Sequence, residues 1–451
     1  MPPVRPLLLL APFVAVLACS CRGEPRVREG PPQNLLIVVV DTLRFDRGRG
    51  GNEDRDAALP VVLRDRGRHF ARALSAGIHT KPSMMALFTG FYPSESGLTV
   101  NGAKVLRPPG PMLAERLKAA GFATAAVVSN PNLVGQGLGF ERGFDEFDAR
   151  MTGTEPNRPT GTRTAAETTA AALERLSQLT RSKKRWFLWV HYLEPHGPYR
   201  PPAAFLRIPR DPGAALPVAA EDFAPRGTIP PYQVLPECRG RNDYIDRYRG
   251  YSDYSLSEAD RLLRTAGSRL RDTVVVFTSD HGEYLGEQNY WFQHSMRIDP
   301  VLFHVPFVVA RSWREPRTEE SRFVGQLDLV STLTAQLGLE EAKTRGENLF
   351  SLPASRRHPL FVEYLALPGF VEVGVQLGDS VIVESNREPP ERFQASGAVW
   401  TARKPNEQEL RQARDAVRPH LARIRNTPAE THQLTPEEIR VLRSLGYVGG
   451  S

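Results

Sequence analysis

The stretch Asn34-Leu35-Leu36-Ile37-Val38-Val39-Val40-Asp41 decides the fold class of this protein. Its apolar, mostly β-branched residues follow one another without alternation and end at an acid. A strand that is buried on both faces has this pattern, as in a parallel sheet covered by helices. Four further runs of the same kind follow along the chain: Ala123–Val128, Trp186–Val190, Thr273–Phe277 and Val305–Ala310.

Segments with helical periodicity separate these runs. They are Met112–Ala120, Ala165–Leu179 and Leu256–Leu270. The alternation of strands and helices predicts an α/β fold with a doubly wound, mostly parallel sheet sandwiched by helices.

Two regions depart from this alternation. Residues 200–245, which are rich in Pro, Arg and Gly, are expected to form a long surface insertion at a pocket rim. After about residue 345, short strand-like pieces predict a small α+β C-terminal subdomain, which ends in a helix beginning near Thr435. These pieces are Leu360–Tyr364, Val371–Gln376 and Val381–Glu384.

The N-terminus has the features of an export signal. A basic start at Arg5 precedes an apolar run from Leu7 to Ala18, which is too short to span a bilayer and suits a signal-peptide core. The run ends in Val16-Leu17-Ala18-Cys19, which looks like a bacterial lipobox with Cys19 as the lipidated residue. We expect residues 1–18 to be a signal peptide, residues 19–32 a tether, and the mature protein a periplasmic or outer-membrane lipoprotein. The alternative is ordinary cleavage and a free periplasmic enzyme.

Composition excludes other classes of protein. Hydrophobic residues at 41% and charged residues at 24% are ordinary for a soluble globular protein. The net charge is +7, but no basic block alternates with aromatic residues, so nucleic-acid binding is not expected. The three cysteines, Cys19, Cys21 and Cys238, form no CxxC or CxxH cluster, so neither a disulfide framework nor a structural zinc site is predicted. Apart from the lipid anchor no membrane contact is expected, and the oligomeric state is not indicated.

Acids and histidines stand where three of the apolar runs end. They are Asp41 after the first run, His191 and His196 after the run from Trp186, and Asp280 with His281 after the run from Thr273. In open α/β sheets, ligands bind outside the carboxyl ends of the strands, so we expect these side chains to converge. A single acid at such a point is as readily a helix N-cap, but the whole set predicts a functional site.

The donor types in this set indicate a metal centre. Asp41, Asp280 and His281 combine carboxylate oxygens with an imidazole nitrogen, which suits zinc or manganese better than calcium or magnesium. Thr80 precedes the apolar run Met84–Phe88 and is expected at a helix N-terminus, which favours a bound anion. A metal beside it would make its hydroxyl a nucleophile. Taken alone, a threonine in this position is more often an N-cap than a catalyst.

An ordered set of motifs resembles the sulfatases, within the sulfatase/alkaline-phosphatase superfamily. The segment from Asn34 to Arg44 looks like their opening, and Thr80-Lys81-Pro82-Ser83 is similar to their nucleophile motif. His191-Tyr192-Leu193-Glu194-Pro195-His196-Gly197-Pro198-Tyr199 resembles their HYxDPHxPY segment, and Thr278–Glu283 with His294 resembles their second metal-binding segment. Phe122–Asp148 and Leu442–Tyr447 also match, so the resemblance covers almost all of the mature chain.

The resemblance implies an alkaline-phosphatase-like fold and assigns roles to particular residues. Residues 33–345 would form the catalytic domain and residues 346–451 the C-terminal subdomain. One divalent metal ion would lie among Asp41, Thr80, Asp280 and His281, with Thr80 as the nucleophile. His196 and His294 would contact the transferred group or protonate the leaving oxygen. Asn101, Asn130 and Lys81 are candidates for binding the substrate, and His79, His191 and Glu283 are expected to support the site or the fold.

Departures from the family pattern concern the nucleophile. Sulfatases proper carry Cys, less often Ser, at the position of Thr80, and this residue is oxidised to formylglycine. They also have an Arg four residues later, where this chain has Met84. The usual second Asp after Asp41 is Thr42, and the distal Lys is His294. No formylglycine is expected, and the site is predicted to resemble those of phosphatase, phosphodiesterase and phosphoethanolamine-transferase relatives.

The sequence therefore predicts a metal-dependent hydrolase of sulfate or phosphate esters that acts through a covalent Thr80 intermediate and prefers phosphoesters or phosphonates. Its substrate would be a small molecule or an envelope glycan. The alternatives are a sulfuric ester hydrolase, an envelope phosphoethanolamine-type transferase and an inactive sulfatase-like binding protein. The transferases usually carry transmembrane helices, and an inactive protein is not expected to retain the complete metal centre with both histidines.

Replacing the predicted lipid acceptor tests the anchor. We expect Cys19→Ser to move the protein from the membrane fraction to the soluble fraction with unchanged specific activity, because the lipid would be the principal membrane contact. Cys21→Ser is the matched control and should leave the distribution unchanged. Fractionation and mapping of the mature N-terminus are the measurements. A Cys19→Ser protein that is distributed as the parent is, or a mature N-terminus that maps elsewhere, would contradict lipidation at this residue.

Overall fold

The computed structural model describes residues 33–424, apart from residues 48–55, 102–108, 136–138, 156–157, 221–223, 295, 352–355, 357, 367–369 and 397–398. The predicted signal peptide and tether lie outside these residues, as does the terminal helix expected near Thr435. Residues 31–451 form one compact unit.

The described residues contain fifteen strands and eight α-helices, numbered here in chain order. The strands are β1 Asn34–Val40, β2 Arg68–Leu74, β3 Ala123–Val128, β4 Glu146–Asp148, β5 Gly153–Glu155, β6 Arg158–Thr162, β7 Trp186–Tyr192, β8 Thr273–Thr278, β9 Phe307–Ala310, β10 Thr318–Gly325, β11 Phe361–Ala366, β12 Phe370–Leu377, β13 Ser380–Ser385, β14 Glu391–Ser396 and β15 Val399–Arg403. The helices are α1 Thr80–Thr89, α2 Pro93–Ser96, α3 Leu113–Ala119, α4 Ala165–Arg181, α5 Arg241–Ala266, α6 Pro300–Phe303, α7 Asp328–Gln336 and α8 Glu407–Ile424.

The main sheet has eight strands in the order β10-β2-β9-β8-β1-β7-β3-β4. β1 lies in the middle and pairs in parallel with both β7 and β8. β9 is antiparallel to both of its neighbours. All five apolar runs form strands of this sheet, which confirms the predicted α/β class. The antiparallel direction of β9 was not predictable, because a continuous apolar run indicates that a strand is buried on both faces but does not indicate its direction in the sheet.

The continuous apolar character of β1 follows from its two buried faces. Leu36, Val38 and Val40 pack into one core, which also contains side chains of α4 and α5. Leu35, Ile37 and Val39 pack into a second core on the opposite face, with side chains of α1 and α7. Each such side chain removed from water contributes about 1.5–3 kcal/mol, so both layers hold the central strands firmly.

Helix α5 begins at Arg241, fifteen residues before the predicted start at Leu256. The added turns bury tyrosines in place of aliphatic residues, namely Tyr244, Tyr248 and Tyr251. Their phenol groups find hydrogen-bond partners, as when Tyr248 donates to the carbonyl of Thr42 at 2.8 Å. A buried helix face made of tyrosines has a weak apolar periodicity in the sequence, so the predicted helix began too late.

The predicted insertion and C-terminal sheet are both present. Among the described residues of 200–240, regular structure is limited to short 3-10 turns such as Ala203–Phe205 and Pro231–Gln233. β11 to β15 form an antiparallel sheet in sequential order, which confirms the α+β C-terminal part. None of the described helices has the length and apolarity needed to cross a membrane.

The C-terminal sheet is joined to the rest of the protein by a buried carboxylate. Glu363 on β11 accepts hydrogen bonds from the backbone N–H of Ser94 at 2.8 Å and from its hydroxyl at 2.6 Å. The imidazole of His420 on α8 also donates to this carboxylate. The carboxylate lies between the serine and the histidine, an order unlike that of a catalytic triad, so we assign it a structural role.

Removing this carboxylate should weaken the fold measurably. We expect Glu363→Ala to lower the free energy of unfolding by about 3 kcal/mol, because buried donors on Ser94 and His420 lose their acceptor. Glu407→Ala, which removes an exposed carboxylate at the start of α8, should cause little change. Chemical denaturation is the measurement, and equal effects of the two substitutions would contradict the assignment.

Candidate active site

The carboxyl ends of the central strands bring two acids together. Asp41 directly follows β1, and Asp280 follows β8 after one intervening serine. Because Val39 pairs with Thr278 in the parallel register, both strands end at the same level of the sheet. The side chains of Asp41, Asp280 and His281 are fully buried, and their candidate ligand atoms all lie within 4.8 Å of one another. The structure thus brings together the three residues that the sequence predicted as metal ligands.

Each aspartate has one satisfied oxygen and one bare oxygen. Oδ2 of Asp41 accepts from the Asn130 amide and lies 3.3 Å from Nε2 of His191. Oδ1 of Asp280 accepts from the backbone N–H groups of Thr42 at 3.1 Å and His281 at 2.8 Å. Within the described part of the chain, Oδ1 of Asp41 and Oδ2 of Asp280 have no hydrogen-bond partner although both are buried. Buried bare carboxylate oxygens are costly, and a divalent cation is the partner that fits them.

Electrostatics at this pair also favour a cation. Burial and the nearby carboxylate of Asp41 raise the pKa of Asp280 above its ordinary value. Like charges that share a buried site oppose each other's ionisation, and a bound dication removes this conflict. The donor set of two carboxylates and one imidazole therefore fits a divalent metal ion.

The orientation of His281 leaves one ring nitrogen available. Its Nδ1 lies 2.8 Å from the carbonyl oxygen of Gly282 and donates to it, because a carbonyl can only accept. Nε2 therefore carries the lone pair, at 3.3 Å from Oγ1 of Thr80 and 3.5 Å from Oδ2 of Asp280. A backbone carbonyl that fixes the tautomer in this way is typical of metal-binding histidines.

Thr80 is the first residue of α1, as predicted. His79 precedes it as the N-cap in an extended conformation, with φ of −136° and ψ of 153°. The Thr80 side chain is fully buried, and every residue of α1 is buried as well. The hydroxyl lies where the N-terminal N–H groups and the helix dipole favour an anion.

Four imidazoles form a cluster, and one of them, His281, lies beside this hydroxyl. The ring centre of His294 lies 4.4 Å from that of His281, 5.4 Å from that of His196 and 6.2 Å from that of His79. Burial and the neighbouring imidazoles lower the pKa of His294 well below its ordinary value. Burial and His281 lower the pKa of His79 to about 3. The rings of His294 and His79 are therefore neutral in the protein alone at pH 7, and an arriving anion would raise the pKa of either ring that it contacts.

His294 is oriented by a buried acid. Its Nδ1 lies 3.0 Å from Oε1 of Glu283, and the Tyr199 hydroxyl lies 3.1 Å from Oε2 of the same carboxyl group. Burial raises the pKa of Glu283 well above its ordinary value. This arrangement fixes the orientation of the His294 ring through Nδ1. Glu283 thus occupies the supporting position that the sequence suggested.

The three predicted substrate-binding residues have specific partners. Lys81 donates from Nζ to the carbonyl oxygen of Asn101 at 2.6 Å and from its backbone N–H to Oδ1 of Asn101 at 2.9 Å. Asn130 supports Asp41 through its amide nitrogen and accepts from the backbone of Asn132 at 2.8 Å. Asn101 and Lys81 are therefore tied to each other, and Asn130 is tied to the metal ligand.

Two supporting residues were not identified from the sequence. Arg44 is almost fully buried, pairs with Asp46 and Glu287, and donates to the backbone carbonyl of Glu283 at 3.1 Å. Thr42 has a φ of 52°, which is strained for a β-branched residue and is typical of functional sites. Its N–H is held by Asp280 and its carbonyl by Tyr248. Apart from Asp46, these contact partners are more than 200 positions away along the chain, so no local pattern predicted the supporting contacts.

Comparison with known proteins identifies the family. The Sulfatase family model matches residues 33–339. The choline-sulfatase of Rhizobium meliloti is 26% identical over 422 residues, covering 80% of each chain. The phosphonate monoester hydrolase of Silicibacter pomeroyi superimposes with a TM-score of 0.64 at 19% identity, over 87% of this chain and 94% of that chain. The phosphonate monoester hydrolase of Agrobacterium radiobacter superimposes with a TM-score of 0.63 at 19% identity, over 90% of this chain and 99% of that chain. These structures confirm the expected fold, and since the family match spans more than half of the chain, the protein belongs to the Sulfatase family of ester hydrolases.

Proposed function

We propose that this protein hydrolyses phosphate or phosphonate esters in a metal-dependent reaction, with Thr80 as the covalent nucleophile. The observation that carries the proposal is the pair of bare, buried oxygens on Asp41 and Asp280 beside the Thr80 hydroxyl. An inactive binding protein would have no need to keep two repelling carboxylates at this point.

Asp41, Asp280, His281 and Thr80 would hold the ion, which we propose to be zinc or manganese because an imidazole is among the ligands. A divalent ion in this position lowers the pKa of the Thr80 hydroxyl and neutralises charge on the transferred group. The other residues position the reactants. Asn130 and His191 contact Oδ2 of Asp41, so Oδ1 is the oxygen that would bind the ion.

The proposed reaction has two steps. In the first, Oγ1 of Thr80 loses its proton and attacks phosphorus, and the bond to the ester oxygen breaks. His196 or His294, which would gain a proton when the anionic substrate binds, gives that proton to the leaving alcohol. In the second, water attacks the phosphothreonine and releases phosphate with Thr80 restored. Nδ1 of His196 lies 2.8 Å from the carbonyl oxygen of Gly197, so Nε2 is the ring nitrogen through which His196 would transfer the proton.

The preference for phosphorus over sulfur follows from the methyl group of Thr80. Oxidation of a CH2–SH or CH2–OH group gives the formylglycine aldehyde, whereas the same oxidation of threonine would give a ketone. The arginine that accompanies formylglycine is replaced by Met84, which is buried in the apolar core. A sulfated aldehyde hydrate expels sulfate by returning to the aldehyde, but a sulfated threonine has no such route. Hydrolysis of a phosphothreonine beside a metal ion is ordinary phosphoryl-transfer chemistry.

Sulfate ester hydrolysis is the second candidate function. The similarity to choline-sulfatase, which extends over 80% of both chains, favours it. For either ester we propose a small-molecule or envelope-glycan substrate and a periplasmic location with an anchor at Cys19.

Substitution of a proposed ligand tests the metal. We expect Asp280→Ala to lose the bound ion and to lower kcat/KM by roughly a hundredfold or more, since the ion supplies several kcal/mol of transition-state stabilisation. Asp145→Ala, at a half-exposed aspartate outside the site, is the control. Metal analysis, circular dichroism and kinetics are the measurements. Full activity in a chelated, metal-free sample would refute the proposal.

Matched substrates test the nucleophile and the ester class. We expect the peptide containing Thr80 to have its unmodified mass, and an aryl phosphate or phosphonate to turn over faster than the sulfate of the same phenol. Thr80→Ser should retain part of the activity because it keeps the hydroxyl, and Thr80→Ala should lose it. A loss of two hydrogens at Thr80, or sulfate preference over multiple turnovers, would show that the second candidate is correct.

A further inference from the structure

Exposed apolar side chains are concentrated in the insertion. Among the described residues, five large hydrophobic side chains are exposed, and three of them lie close together in sequence. They are Leu206 at 37%, Ile208 at 77% and Val218 at 52%. Isolated exposed apolar residues are ordinary, but a concentration of them in one segment indicates a contact surface. We call residues 202–220 the apolar rim segment.

The backbone of this segment suits an apolar environment. Pro202, Pro209, Pro212 and Pro217 have no N–H group, so the segment presents fewer donors that would be unsatisfied outside water. Its charged residues are limited to Arg207, Arg210 and Asp211. The two arginines flank Ile208 in sequence and are both exposed, which places cationic groups around the most exposed apolar side chain.

The chain that follows the segment is fixed to the active site. Gln293, next to the proposed catalytic His294, donates from Nε2 to the carbonyl of Ala224 at 2.8 Å and accepts from its N–H at 3.2 Å. Gln233 donates to the carbonyl of Phe292 at 2.8 Å. At the start of the segment, the ring of Phe205 packs on Tyr254 of α5 at 5.4 Å. The start of the segment is therefore held by α5, and the chain beyond it is held by the loop that carries His294.

We infer that the apolar rim segment is a membrane-docking surface, which inserts Leu206, Ile208 and Val218 into the headgroup region of an anionic phospholipid bilayer. Shallow apolar insertion combined with arginine contacts to phosphates is how peripheral surfaces bind lipid. Arg207 also pairs with Asp253, but its side chain remains 41% exposed and can reach a phosphate.

The length of chain before the described residues allows this contact. Residues 19–32 can extend by about 45–50 Å, whereas the seven residues of β1 span only about 23 Å between the start of the fold and the carboxyl edge of the sheet. A lipid on Cys19 would thus leave the rim free to face the same membrane. The docking surface does not depend on which ester is hydrolysed.

Vesicle binding tests the proposal without the anchor. A chain of residues 31–451, which form one compact unit, is mixed with vesicles of phosphatidylcholine alone or of phosphatidylcholine with phosphatidylglycerol. We expect binding to the anionic vesicles and a roughly tenfold or greater weakening in Leu206→Ser/Ile208→Ser, because apolar insertion is lost. Val61→Ser/Val134→Ser removes exposed apolar groups elsewhere and should bind as the parent does.

Three results would overturn the inference. They are absence of binding by the parent chain, equal binding to both kinds of vesicle, and equal weakening by the two double substitutions. Self-association that Leu206→Ser/Ile208→Ser abolishes, without vesicle binding, would assign the surface to a second copy of the chain. Hydrolysis of a soluble aryl ester should be unchanged in the double variant, which separates a failure of docking from a failure of the proposed reaction.

Discussion

Two buried carboxylates that share one end of the sheet are the constraint on which the site depends. Asp41 and Asp280 each place one oxygen among protein donors and keep the other bare, at a point without water access. Burial and the carboxylate of Asp41 raise the pKa of Asp280, and a bound cation would offset both effects. Metal binding and the folded arrangement of this sheet edge are therefore expected to stabilise each other.

Hydrogen bonds from neighbouring residues fix the orientation of the two carboxylates and of the histidines beside them. Asn130 and His191 contact Oδ2 of Asp41. Two backbone N–H groups donate hydrogen bonds to Oδ1 of Asp280. The carbonyl of Gly282 sets the tautomer of His281, and Glu283 orients His294. Supporting contacts of this kind determine which atom of each ligand or acid–base group faces the substrate, and the strained φ of Thr42 is tolerated because its N–H and carbonyl are both held.

The C-terminal sheet contributes to the site by supporting its loops. Glu372 on β12 accepts from the backbone N–H of Ile298 at 2.5 Å and from Nε of Arg297 at 3.2 Å, close to the loop that carries His294. The ring of Tyr364 on β11 lies 5.2 Å from that of His79, the N-cap of the nucleophile helix. Both contacts join the second sheet to residues that adjoin the reacting groups, so this sheet is part of the structural support for the site.

The sequence by itself determined the central strands, the side chains at their carboxyl ends and the chemistry open to Thr80. A strand buried on both faces needs a continuous apolar run, and a threonine cannot form an aldehyde. β2 and the edge strand β10 lack such a run and were not predicted. The tyrosine face of α5 has a weak apolar pattern, so the first half of that helix was not predicted. Only the tertiary structure decided that Asn130 supports Asp41, that Asn101 holds Lys81 and that Arg44 supports Glu283. Hydrogen bonds between residues far apart along the chain depend on three-dimensional packing, and local sequence patterns do not record that packing.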